Sequence, residues 1–423
     1  MSAAVDRAVG NPTVCGRRDW MLIISLAVVF FVLLTLYVAV LQVLLPNQIQ
    51  DFDPAGKATH LGVLFAITSV FSTTITPLSG ALSDRTRSRF GRRTPWILLG
   101  AAIGGGALVL VPYAHGMTSI TATWLVASIS LNSMQTPITT VIAERLAPSE
   151  RGMASGVVGA AMTGGVSAGT VFGGLFADEM RFAYGVLGVG IIAACVAFVV
   201  LNPEPRTHLE RPAPLRLGAF LGSFWVDPRQ HPDFAWAFLG RFTIYMGYQA
   251  VVTYLLYILE DHIGLSQAEA NRMIARLASI TFVALIVASV GSGWLSDRIG
   301  RRKPLVFVAA LFMAAAVVAP LVAPSLAGMR VYAVLIGIGY GAFMSVDLAL
   351  MTQVLPKRSG ADDATGKDLG ILATAINVPQ ILSPVLAATL LGATGNNYEL
   401  LFIAAGVFVF VGSFLVLPIR SVT

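Results

Sequence analysis

Two residues of opposite charge sit where charge is expensive. Arg241 and Asp347 fall within long apolar stretches, each about 5–12 Å inside one end of its stretch at the rise of an α-helix. An ionised group inside a bilayer faces a partner or a wet cavity, and such residues mark ion and substrate paths. Helical spacing supplies their neighbours. Arg241, Tyr245 and Tyr248 recur at i, i+4 and i+7, with Gln249 beside them, and Tyr340, Met344, Asp347 and Met351 do the same on a second stretch. This pattern predicts a charge pair lining a transport path, with the carboxylate held ionised by the arginine while the pair is closed and able to carry a coupling proton only once it opens. Two plainer readings compete with it: snorkelling of Arg241 to the interface, and a static structural pair.

Other apolar stretches carry polar groups without charge: Tyr37 and Gln42; Asn132 and Gln135 ahead of Pro137; and Asn377 and Gln380 beside Pro379. Amides and tyrosines in such places suit a cavity that hydrogen-bonds a neutral, polyhydroxylated small molecule, although each one alone serves equally well as a helix–helix contact. Enzyme chemistry has less to build on. All five histidines, His60, His115, His208, His231 and His262, fall in loops or at stretch ends, and no metal-ligand or nucleophile motif appears. Cys15 and Cys195 give neither a disulfide framework nor a metal site. No cofactor and no metal is expected.

A duplicated loop ties these stretches together. Gly80-Ala81-Leu82-Ser83-Asp84-Arg85 leads through Thr86 to Phe90 into Gly91-Arg92-Arg93, and Gly293-Trp294-Leu295-Ser296-Asp297-Arg298-Ile299-Gly300-Arg301-Arg302 repeats the pattern 213 residues later. A repeat at half the chain length, each copy between membrane-length stretches, predicts two similar halves.

The elements that must position these residues follow from composition. The 423-residue chain is 56% hydrophobic and 12% charged, with a mean hydropathy of +0.77; soluble domains keep roughly a quarter of their residues charged. Apolar runs of about twenty residues predict twelve membrane spans. In the first half these are 20–45, 59–82, 95–114, 119–143, 152–177 and 182–201; in the second they are 234–258, 272–296, 304–323, 329–354, 368–391 and 398–418. The expected organisation is a tail at 1–19, a six-helix half at 20–201, a proline-rich linker at 202–233, a second half at 234–418 and a tail at 419–423. The first run is too long for a cleavable signal segment and is taken as a membrane helix.

Basic residues orient the bundle. Most of the 28 Lys and Arg residues cluster on one side: Arg7, Arg17 and Arg18; the five arginines at 85–93; Arg145 and Arg151; the linker arginines; Arg298 to Lys303; Lys357, Arg358 and Lys367; and Arg420. Lys57, Arg181, Arg272, Arg276 and Arg330 fall on the other. The positive-inside rule then places both termini in the cytoplasm of a multi-pass protein of the plasma or inner membrane. The net charge of +6 thereby reads as membrane topology, with the lipid bilayer and a small-molecule substrate as partners and no nucleic acid.

Twelve spans, a central linker and this loop signature after spans two and eight resemble the major facilitator superfamily, whose signature reads G-x-L-x-D-R-x-G-R-R. The second copy fits throughout. The expanded first copy resembles the sucrose and glycoside transporter branch (glycoside-pentoside-hexuronide-like), as do Tyr340-Gly341 to Asp347-Leu348-Ala349-Leu350 and Lys367-Asp368-Leu369-Gly370 to Pro379-Gln380. The resemblance implies an all-α membrane protein of twelve helices in two pseudo-symmetric halves, with secondary transport by alternating access. It also implies a cytoplasmic latch built from Gly80, Asp84, Arg85, Gly91, Arg92, Arg93, Gly293, Asp297, Arg298, Gly300, Arg301 and Arg302. In that latch Asp84 would lie near the start of span eleven and Asp297 near that of span five, where helix dipoles favour negative charge, and the arginines would reach carboxylates such as Glu144. The sodium-coupled sugar branch places aspartates in spans two and four, and none is present there.

Span five pulls another way. Gly156, Gly165, Gly169, Gly173 and Gly174 fall at the spacing of the glycine motif of drug–proton antiporters, with Thr170 where that motif has proline. The antiporter arginine of span four is absent, and small residues at these spacings also serve close helix packing. The leading expectation is proton-coupled uptake of a sugar or glycoside, with proton-driven efflux and an uncoupled facilitator as alternatives. An enzyme or a channel is the remote one.

Overall fold

The structure is a computed structural model and describes residues 17–88, 90–204, 232–300, 302–353 and 363–419. Most of the expected linker, 205–231, lies outside the described residues. Every described element is helical, which is what hydrocarbon demands of a chain that cannot hydrogen-bond its backbone to water.

Twelve long helices follow in order among the described residues. Helix α1 runs Arg17–Ala39, passes through a π-helical turn at Val40–Leu44 and ends with Leu45–Phe52. Next come α2 (Lys57–Arg85), α3 (Thr94–Leu110), α4 (Met117–Arg145), α5 (Pro148–Phe176) and α6 (Met180–Leu201). Helix α7 (Pro232–Thr253) bends by 55° into a short tip, Leu255–His262. The chain continues with α8 (Gln267–Ile299), α9 (Lys303–Val322), α10 (Leu326–Gln353), α11 (Asp363–Thr394) and α12 (Tyr398–Leu415).

Local chemistry sets the ends. A Ser266–Glu269 capping box starts α8, and left-handed Gly300 (φ 67°) ends it. Pro95 and Pro304 stand in the first turns of α3 and α9, directly after each Gly-Arg-Arg, where a missing N–H costs nothing.

Nine helical stretches among the described residues are long and apolar enough to cross a membrane, ten if bent α7 counts as one. The stretch Glu150–Leu201 holds 52 residues; at 1.5 Å each it covers about 78 Å, well over one crossing. It contains both α5 and α6, parted by a 3-10 turn at Ala177–Glu179. Helix α4 is not among the nine because hydroxyl and amide side chains run along it, from Ser119 to Thr140. Elsewhere an apolar face is left open: on α8, Val283, Val287, Val290 and Trp294 are all at least 61% exposed at helical spacing, the stripe of a helix facing lipid.

Two compact units form, and their boundaries fall inside helices. Unit one is Met1–Tyr37, Val70–Gly169 and Arg181–Pro212; unit two is Val38–Ser69, Thr170–Met180 and Ala213–Thr423. In unit one α3 packs along α4, around fully buried Trp124 and Tyr184. In unit two α8 and α9 pack on α10, and α7 on α11 and α12, around Tyr254, Tyr257, Phe343 and Phe402. Glycines allow the closest crossing: Gly337 and Gly341 of α10 lie against the carbonyl oxygens of Thr281 and Leu285 on α8. The second unit thus takes in the end of α1, the start of α2 and the end of α5, segments that the sequence assigns to the first half.

Candidate functional site

The deep charges meet. Arg241 Nε lies 3.0 Å from Asp347 Oδ2, with both side chains at least 92% buried. Helices α7 and α10 supply them, and the same two helices supply an aromatic cluster one to two turns away. The Tyr245 hydroxyl is 3.3 Å from that of Tyr340 and donates to Met344 Sδ at 3.0 Å. Tyr248 stacks on Tyr340 with ring centroids 4.6 Å apart and planes 6° apart, and Phe343 closes against Tyr245. The i, i+4, i+7 spacing on α7 and the matching series on α10 therefore face one another, as two amphipathic stripes must when each has one polar side. Gln249 turns along its own helix and donates to Thr253 Oγ1 at 3.1 Å.

The remaining cavity candidates distribute between the units. In unit one, Asn132 donates to the Ser128 carbonyl at 2.8 Å and approaches Ser72 Oγ at 3.3 Å, joining α4 to α2. Tyr37 meets Trp124 edge-on at 6.5 Å, and Gln135 is half-buried on α4. In unit two, Gln42 sits in the π-helical turn of α1 and accepts from Thr170 Oγ1 at 3.2 Å. Asn377 and Gln380 are exposed on α11 and do not join the tyrosine cluster.

The first loop signature is a charge cluster centred on Arg93, which is only 5% exposed. Its guanidinium binds Asp84 Oδ1 at 2.8 Å, Ser83 Oγ at 2.9 Å and both oxygens of Glu144. Arg92 adds a contact to Glu144 Oε1 at 2.6 Å. Arg85 is exposed. Glu204, just past α6, accepts from the backbone N–H groups of Arg93 and Thr94 at 2.9 and 3.1 Å. It thus places a carboxylate at the positive end of α3. Gly91 has φ +97°, and a side chain there would run into Glu204, so two independent constraints require glycine at that motif position.

In the second copy, Gly293 lies against Ser345 of α10 as Gly80 lies against Thr136 of α4, with hypothetical Cβ contacts of 3.0 and 3.2 Å. Arg298 is exposed and covers the Trp294 ring at 5.3 Å. Arg301 and the side chain of Asp297 lie outside the described residues.

Sequence reasoning missed several participants. Ser83 sits inside the motif and signalled nothing by type. Glu204 falls in the expected linker, 202–233, and only its place just after a span end sets it apart. The largest omission is a group in unit two around Lys57, Glu260 and Asp261, of which the sequence singles out Lys57 alone, and only as a basic residue of one membrane side, although it is 5% exposed.

The Major Facilitator Superfamily model matches residues 26–361 and 237–423. The tetracycline resistance protein, class D, of Salmonella ordonez is 26% identical over 378 residues, covering 88% of this chain and 91% of its own. Among solved structures, a bacterial homolog of the human lysosomal transporter Spinster, inward-facing and occupied, superposes with a TM-score of 0.69. It shares 15% identity over 97% of both chains. The D-xylose-proton symporter gives a TM-score of 0.65 at 16% identity over 95% of this chain and 97% of its own. At such identities the two structures speak for the fold alone.

Proposed function

This chain belongs to the major facilitator superfamily, and from that premise we propose that it takes up a sugar or glycoside together with protons, by alternating access between two six-helix halves. The observation that carries this reading is the buried Arg241–Asp347 pair beside the Tyr245, Tyr248 and Tyr340 cluster. A carboxylate at this depth needs neutralising, and it has two candidates: the guanidinium 3.0 Å away or a proton. Substrate that engages Arg241 or the tyrosine hydroxyls separates the pair, and Asp347 then takes the proton. Asp347 then crosses as the neutral acid, so no bare carboxylate meets hydrocarbon, and the Arg241 guanidinium is solvated by the substrate's hydroxyl oxygens. Stacked Tyr248 and Tyr340 present aromatic faces and hydroxyls, the chemistry that suits a ring carrying many hydroxyl groups. The expanded first loop signature, with Arg93 at its centre, supports the glycoside branch, and the cluster around it acts as the latch of its unit.

Efflux of a drug or metabolite by proton antiport is the second reading. The class D tetracycline resistance protein, similar over 88% of this chain, favours it, together with the glycine series of α5. The coupling residues would be the same and the cargo would be apolar.

Internal pH in proteoliposomes carrying a trapped dye separates the two. Acidification on outside addition of one class of sugar, lost in Asp347→Asn while counterflow of the same sugar persists, is the expected result. Gradient-driven accumulation retained in Asp347→Asn would remove Asp347 from the coupling step. Silence across a sugar panel, with alkalinisation on adding hydrophobic drugs, would replace uptake by efflux.

A further inference from the structure

Two polar groups of unit one are buried without a partner. The hydroxyl of Tyr37 on α1 and Nε1 of Trp124 on α4 are shut away from solvent, and neither makes a hydrogen bond. Among the described residues no other neutral side-chain group is left this way. A buried donor that is not met has lost its hydration with nothing in return. Native folds keep few such groups, and a rule broken locally marks a place shaped for function more often than for stability.

The two rings meet edge-on, with planes at 89° and centres 6.5 Å apart, towards the far end of the roughly 4.5–7 Å range of aromatic pairs. Trp124 is 1% exposed, so it is not an indole anchored among lipid headgroups. It heads a stripe along α4: Trp124, Ser128, Asn132 and Gln135 recur at i, i+4, i+8 and i+11. Further down the stripe the groups satisfy one another. Ser128 Oγ lies 3.1 Å from Ser72 Oγ, and Asn132 donates to the Ser128 carbonyl at 2.8 Å. At its head stands a donor with nothing to donate to. Residue type gave no notice of it, because a tryptophan in an apolar run counts as hydrocarbon until its N–H is seen.

The chemistry of the pair narrows what can satisfy it. An indole N–H only donates, whereas a phenol hydroxyl donates or accepts. The two groups do not pair with each other, so what meets both is a single oxygen with two free lone pairs. A hydroxyl, ring or carbonyl oxygen qualifies, and a hydrocarbon group does not. We propose that Tyr37 and Trp124 form a cargo subsite within unit one, in which both donors hold one oxygen of the transported molecule, and that Trp124 is a specificity-determining residue. The proposal rests on the carrier reading above and adds a contact in unit one to the tyrosine cluster of unit two. Such a subsite discriminates strongly, because a cargo lacking the oxygen leaves both donors unmet.

The test reads affinity and stability separately. Counterflow of radiolabelled sucrose, lactose, xylose and tetracycline is measured in proteoliposomes of the parent, Tyr37→Phe and Trp124→Phe. For whichever probe is carried, each variant is expected to raise KM about tenfold and to leave the maximal rate within about twofold. The double variant is expected to be little worse than the weaker single one, because one oxygen is shared; a loss equal to the product of the two would overturn the shared oxygen. Melting of the ligand-free protein in detergent is the second readout. Tyr37→Phe removes only an unmet hydroxyl, so it is expected to melt at or above the parent's temperature. A lower melting temperature would mean that the hydroxyl is already held, by a buried water or by the protein, and would overturn the subsite. Unchanged KM in both variants would also overturn it and leave the carrier reading intact. Counterflow of tetracycline and of no sugar, with KM raised in both variants, would uphold the subsite and sink the sugar reading instead.

Discussion

At the scale of single residues, this protein spends its charge in partnered places. Asp53 shows how such a place answers to pH. Its carboxylate accepts the backbone N–H of Gly56 at 3.1 Å and lies 3.0 Å from His60 Nε2. These contacts, the Gly56 bond first, hold it below its ordinary value of 3.8. A carboxylate depressed on folding stabilises the native state above the unfolded value and loses that contribution as pH falls through the folded one. Melting in detergent should therefore show Asp53→Asn less stable than the parent near neutrality, with the gap closing under acid. A gap independent of pH would assign it to the lost loop geometry and not to the charge. Arg241 and Asp347 were legible from the sequence because charge inside an apolar run is conspicuous. Lys57 was not, because a lysine near the end of a run is indistinguishable from a snorkelling one until its partners are seen.

At the scale of helices, the sequence supplied positions well and purposes unevenly. Each expected span overlaps a described helix, although nine or ten stretches among the described residues, and not twelve, are long and apolar enough to cross a membrane. Helix ends differ too: α1 continues to Phe52 and α8 begins at Gln267, because polar side chains there find partners within the protein and the helix need not stop at the membrane boundary. Glycine meaning varies by site. Gly341 lies against the Leu285 carbonyl, whereas a side chain at Gly291 on α8 would meet nothing within 4 Å. Gly341→Ala should lower stability by roughly 1–3 kcal/mol through overpacking, visible as an earlier thermal transition. Gly291→Ala should be neutral or slightly stabilising through helix propensity. Equal effects at both positions would mean that the α8–α10 crossing relaxes freely.

At the scale of the whole molecule, the duplicated loop signature, the fold and the family point to a carrier, and a carrier has a kinetic property that a pore lacks. Its site must return before it can load again, so an unlabelled ligand inside speeds entry of a labelled one outside. Saturable counterflow in proteoliposomes is the expected outcome once the cargo is found; a flux linear in concentration and indifferent to ligand on the far side would mean a channel. The two compact units add a point the repeat did not contain. They do not follow the sequence halves, since Val38–Ser69 and Thr170–Met180 belong with the second unit.

The sequence by itself determined what depends on composition and period: helices, because hydrocarbon leaves the backbone no other partner; their approximate places, because apolar runs have lengths; the places of buried charge, because a buried ion is rare enough to notice. Tertiary structure alone decided the partners. Lys57 and Glu260, Asn47 and Asn271, and Arg93 and Glu204 are separated by 203, 224 and 111 residues. Nothing local to either member of a pair encodes the other, because a hydrogen bond selects by distance and direction in space, and both are fixed only when the helices between them have packed.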